Sequence, residues 1–161
     1  MIGIHLPAAV FVMTAGAMTI GMTGLQAFGA EETVLRPRVP ADQLDEVRGW
    51  TNPLPATPEV IEKGKQLFHG KAFCVTCHGK DGKGLGSDIE PGTVRGPLPR
   101  DFTDKEWQAA RTDGELFWIL KNGSKGTAMA PFVPLILTEE EAWMVLRYVR
   151  SFAMDGGGAT Q

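Results

Sequence analysis

The chain has 161 residues, 43% of them hydrophobic, and a formal net charge of −3. That suits one domain with extensions, and neither a basic tract for nucleic acid nor a long acidic run is present. Two cysteines exclude a disulfide-stapled framework, and no internal repeat points to a solenoid.

Residues 1–29 contain no Lys, Arg, Asp or Glu, and Leu6 to Phe28 is apolar or small. This stretch reads as a secretory signal, with small residues for cleavage before Ala30, or as an uncleaved membrane anchor through residues 6–28. Either role puts the remainder outside the cytoplasm, which in a bacterium would be the periplasm. Residues 30–56 are polar and punctuated by Pro37, Pro40, Pro53 and Pro55. They predict an extended arm with one short helical chance at 41–48, packed on the domain or spacing it from a membrane.

A helix is predicted from Thr57, a capping residue followed by Pro58 at the first helical position. Val60, Ile61, Gly64, Leu67 and Phe68 recur on one face. A glycine on that face costs about 1 kcal/mol against alanine, so close approach of another helix is expected at Gly64.

Next comes Cys74-Val75-Thr76-Cys77-His78, the spacing of a c-type haem attachment. Two thiols on one turn can add across the two haem vinyl groups, and the adjacent imidazole can supply an axial nitrogen. A redox dithiol would call for a βαβ pattern, which is missing. A zinc site would need four ligands, and beyond this motif only His5 and His69 remain of the Cys and His residues. A plain disulfide would leave His78 without a role.

Gly79, Gly82, Gly84 and Gly86 then make a surface loop, with no strand before it to make a phosphate site. A proline-rich stretch at 95–102 is followed by a short helix predicted over 103–111. Thr112-Asp113-Gly114-Glu115 is a capping box that opens a helix ended by Asn122-Gly123. Leu116, Phe117, Trp118, Ile119 and Leu120 make that helix apolar nearly all round, so it is expected to be buried against a haem face. Phe117 and Trp118 read as pocket packing before they read as an electron conduit.

A sixth iron ligand is sought among the methionines. Beyond residue 29 these are Met129, Met144 and Met154. Met144 lies in a helical pattern and Met154 in a Gly-rich tail, whereas Met129 lies in a loop between Gly126 and Pro131. Met129 is the candidate, in the His/Met class. The last helix opens at Thr138 with a second capping box to Glu141 and carries Ala142, Val145, Leu146, Val149 and Phe152 as its apolar stripe. Residues 153–161 are expected to be a disordered tail.

Residues 57–152 resemble the class I single-haem cytochromes c. The matching parts are Gly64-Lys65-Gln66-Leu67-Phe68, the Cys-x-x-Cys-His, Pro99-Arg100-Asp101-Phe102, the Met129 loop, and a closing helix with Trp143 and Tyr148. One departure is Ala130 between Met129 and Pro131, where many relatives have Met followed directly by Pro. The resemblance implies an all-α domain wrapped around one covalent haem, with His78 and Met129 on the iron. It implies that Gly64 meets Tyr148 where the first and last helices cross. It also implies that a proline carbonyl, Pro99 by position with Pro97 as the alternative, accepts a hydrogen bond from His78. The function expected is one-electron transfer with protein redox partners and no small-molecule substrate, as an electron carrier and not an enzyme. The alternatives are a haem subunit docked in a larger respiratory or dehydrogenase complex and, in a different class, a haem sensor with an open iron position.

Overall fold

The computed structural model of the chain describes residues 35–85 and 97–154. The signal or anchor reading of 1–29, Gly86, Arg95 and the tail from Asp155 lie outside the described residues. Among the described residues the structure is helical, without strands: α1 Leu44–Arg48, α2 Pro58–His69, α3 Cys74–His78, α4 Lys105–Ala110, α5 Asp113–Asn122 and α6 Glu139–Met154. None of these helices is long and apolar enough to cross a membrane.

The sequence signals that start the helices are made. Thr57 accepts from the Val60 N–H at 3.4 Å. Thr112 and Glu115 close a reciprocal capping box at 3.2 and 2.9 Å, and Thr138 and Glu141 close another at 3.1 and 2.8 Å. α4 is shorter than the 103–111 reading. Asp104 caps it through the Trp107 N–H at 3.0 Å, because Asp101 has already drawn Thr103 into a turn. α6 runs on to Met154, so that methionine ends a helix and does not lie in the tail.

α6 is the hub, packed on α2, α4 and α5. It crosses α2 at Gly64, where a Cβ would fall 2.0 Å from the Met144 carbonyl oxygen and 3.1 Å from Tyr148 Cβ. The expected close approach is present, but its nearest atom is backbone and Tyr148 stands second. Around the crossing Phe68 meets Tyr148 edge-on at 5.3 Å and Phe102 at 6.3 Å. Fully burying a side chain of this size contributes about 1.5–3 kcal/mol.

Residues 35–56 are not a free spacer. Val39 and Val47 are buried, and Trp50 meets Phe117 edge-on at 6.2 Å. α1 packs on α5 at Gly114, where a Cβ would fall 1.9 Å from the Val47 carbonyl oxygen. Asn52 donates to the Trp143 carbonyl at 3.0 Å, and the Arg147 Nε donates to the Leu54 carbonyl at 2.9 Å. A second clamp joins α4, α5 and α6. The buried Gln108 donates to the Phe102 and Val149 carbonyls, both at 2.9 Å. Arg150 donates to Gln108 Oε1, to Asp113 and to the Arg111 carbonyl at 2.6–2.7 Å. Buried polar groups are tolerated when satisfied in this way.

Candidate haem site

α3 is one helical turn held at both ends by unusual backbone. Phe73 enters it in the left-handed region at φ 53°, and Gly79 leaves it at φ 73°. The turn puts Cys74 and Cys77 three residues apart, hence on one side. Cys74 is half-buried and Cys77 exposed. Burial, and secondarily the neighbouring Cys77, push the Cys74 thiol up to about 12.

The His78 Nδ1 lies 3.2 Å from a backbone carbonyl. That oxygen can only accept, so the ring proton sits on Nδ1 and Nε2 keeps its lone pair. Burial holds the imidazole below its ordinary pKa, partly offset by this hydrogen bond. A neutral imidazole with one nitrogen anchored and the other free is what a metal ligand needs. The carbonyl belongs to Arg100, however, and not to Pro99 or Pro97. The Pro99 oxygen is turned toward Gly84, where a Cβ would fall 2.5 Å from it. Gly84 in turn sits at φ +79° and donates to the His78 carbonyl at 3.0 Å. The glycine loop is thereby sewn to the proline stretch, and the next carbonyl along reaches the ring.

Phe102 stacks on His78 with centroids 4.3 Å apart and 21° between planes. Its own N–H is bonded to the Gly82 carbonyl at 2.6 Å. Sequence reasoning missed Phe102 as a ring partner. Its only signal was its place in the Pro-Arg-Asp-Phe stretch.

Met129 is fixed by its backbone. Its carbonyl accepts from Ser124 N–H at 2.9 Å, and its N–H donates to Thr127 Oγ1 at 3.1 Å. Gly123 permits this turn, since a Cβ there would fall 2.7 Å from the Met129 oxygen.

Cys74, Cys77, His78 and Met129 line one cavity of about 730 Å³, a volume within the usual range for cofactor pockets. Pro97 and Pro99 reach its wall as well, while Met144 and Met154 do not. Leu116, Ile119 and Leu120 bring α5 to the wall. Phe117 does not reach it; it stacks on Trp143 at 3.9 Å. Trp118 also points elsewhere, donating to Gln43 at 3.1 Å, so α5 is not buried all round. Phe73 is 68% exposed in the chain by itself and also lines the cavity. A flat apolar ring bound there would give it a partner. The residues present therefore fit a covalently tethered haem.

A helical chain that sets a Cys-x-x-Cys-His turn and a methionine loop on one apolar cavity has the architecture of a c-type cytochrome. The family model "Cytochrome c" matches residues 61–153, and the chain belongs to that family. No match was found among the curated proteins. Among solved structures it is similar to a chain of the reducing HAO-like protein complex of Kuenenia stuttgartiensis, at 28% identity and TM-score 0.53. That likeness covers 65% of this chain and 48% of the other, so this chain spans about half the length of its structural relative.

Proposed function

We propose that the chain carries one electron at a time on a single haem c tethered by Cys74 and Cys77, with His78 and Met129 as its axial ligands. The observation that carries this reading is the shared cavity, which gathers both thiols, a neutral imidazole and the only thioether among the described residues that lines it. The haem supplies the ferrous–ferric couple. The Arg100 carbonyl sets the His78 tautomer, and Phe102 holds the ring plane. The Ser124–Thr127 turn holds Met129, and the apolar wall keeps water from the metal. With His78 and Met129 both holding iron, no open position would remain for a substrate, and the haem would exchange electrons with protein partners through transient contacts. The location we propose is the bacterial periplasm, free or tethered through residues 6–28.

A second reading is favoured by the structural relative, whose chain is part of a protein complex: the same haem domain held permanently as a subunit of a larger oxidoreductase. Haem staining of native membrane and periplasmic fractions separates the two. A free species of this chain's mass supports the carrier, and co-migration with a larger assembly supports the subunit.

Met129→Ala tests the ligand set. The variant should lose the far-red absorption band of methionine-bound ferric iron, bind carbon monoxide when reduced, and show a lower midpoint potential. Met144→Leu should keep the parent spectrum. Carbon monoxide binding to the reduced wild type as readily as to the variant would sink the six-coordinate reading and favour a haem sensor.

A further inference from the structure

A haem tethered at this cavity would bring two propionate carboxylates besides its iron, and bringing charge near a low-dielectric wall requires counter-charge. We propose that the arm is part of the haem site: Arg36 and Arg38, held in place by Arg111, form the cationic subsite that receives the haem propionates. The proposal rests on the haem c reading above and assigns a binding role to residues ahead of the segment, 61–153, that the family model matches.

The first support is charge. Arg36, Arg38, Lys83, Arg100 and Arg111 line the cavity, against Asp101 alone among acidic residues. Arg100 is paired with Asp104. Arg36 and Arg38 have no carboxylate partner among the described residues.

The second is placement. Arg111 is 5% exposed, and its Nη2 donates to the Arg36 carbonyl at 2.8 Å. A buried guanidinium thus fixes the arm's backbone between the two arginines and the rest of the fold, while Pro37 restricts the dihedrals between them and buried Val39 anchors the next step. Guanidinium groups suit carboxylates because they offer parallel donors in a fixed fork.

The third is repulsion within the cluster. Burial lowers the Arg111 pKa below its ordinary value. Glu115 opposes that shift, and the charges of Arg48, Arg100 and Arg38 add to it. Like charges gathered on one wall are relieved by an anion between them. The fourth is orientation. In a porphyrin with two thioether-forming vinyl groups, the propionates leave from the opposite edge. Among the described helices, α3, which bears the cysteines, packs on α2, whereas the arm helix α1 packs on α5. The arm is therefore attached to other elements than the tether is, with Arg36 held by Arg111 just ahead of α5.

The test uses the full-length holoprotein and the variants Arg36→Gln, Arg38→Gln and the pair together. Lys63→Gln, on the exposed face of α2, controls for a unit of net charge. Covalent haem is first verified by acid–acetone extraction of the wild type. Its absence would sink the haem reading itself. With haem in place, the propionate-bending band in resonance Raman spectra should shift in each arginine variant and most in the pair. The midpoint potential should fall further than in Lys63→Gln, because removing a nearby cation favours ferric iron. Arg38→Lys should lie between wild type and Arg38→Gln. A wild-type propionate band in the double variant overturns the assignment, whatever the potential does.

Discussion

Two helix glycines in this chain face a backbone carbonyl at nearly the same separation, and they do different work. At Gly64 a Cβ would lie 2.0 Å from the Met144 oxygen, and at Gly114 it would lie 1.9 Å from the Val47 oxygen. The first contact joins α2 to the 16-residue α6 through the aromatic core. Neither helix can retreat without opening the packing of Phe68, Tyr148 and Phe152. The second joins α5 to the five-residue α1 of the arm, which packs on α5 and on no other described helix. The same local geometry thus marks a seam inside the core in one place and a peripheral one in the other.

Five substitutions would break or sharpen this contrast, from the largest expected effect to the smallest. Gly64→Ala should cost about 3 kcal/mol, the upper part of the usual overpacking range, because the opposing atoms are backbone. The check is the denaturant midpoint of the holoprotein, and a midpoint at or above wild type would show that the crossing can yield. Gly114→Ala should cost only about 1–2 kcal/mol, with amide exchange accelerated in residues 35–56 and unchanged in α2. Equal exchange in both regions would abolish the distinction between the seams. Arg147→Gln removes the donors to the Leu54 and Asn52 carbonyls and should cost about 1.5 kcal/mol, typical of charge-assisted bonds. It too should loosen the arm, leaving the visible haem spectrum alone.

The smallest effect is expected at the start of α6. Thr138→Ala removes the cap on the Glu141 N–H and should cost about 1 kcal/mol. Its partner Glu141 has a pKa below the ordinary carboxylate range, chiefly from the Lys71 hydrogen bond and then from the Thr138 N–H. A depressed carboxylate stabilises the fold above its unfolded pKa, and that contribution is lost as pH falls through the folded value. Glu141→Gln should therefore be slightly less stable than wild type at neutral pH, and the two urea midpoints should converge in acid.

The core seam was legible in the sequence, and the peripheral one was not. Gly64 stands out because it interrupts an apolar helical face. Gly114 sits inside a Thr-Asp-Gly-Glu capping box, where a glycine in the first turn draws no notice. The arm's attachments run from Asn52, Arg111 and Arg147 to backbone carbonyls, and a carbonyl has no residue identity for a pattern to reveal. The same limit explains the one-residue error at His78: Pro99 and Arg100 offer chemically equal oxygens, and the close approach at Gly84 decides between them. Cys74, Cys77, His78 and Met129 could be singled out because a haem site demands particular side chains, and the fold sets all four on one cavity.

The stack of Phe102 on His78 has one more consequence. The Phe102 carbonyl is held by Gln108, which is bonded in turn to Val149 and Arg150 of α6. The imidazole therefore leans on a ring that is tied to the longest of the described helices, while its Nδ1 is anchored to the Arg100 carbonyl. Under the proposed ligation, these contacts would hold the plane of the ligand that His78 offers to iron. Little nuclear rearrangement would then accompany a change of charge, and a site that hardly moved between two oxidation states would exchange electrons over a low barrier in both directions.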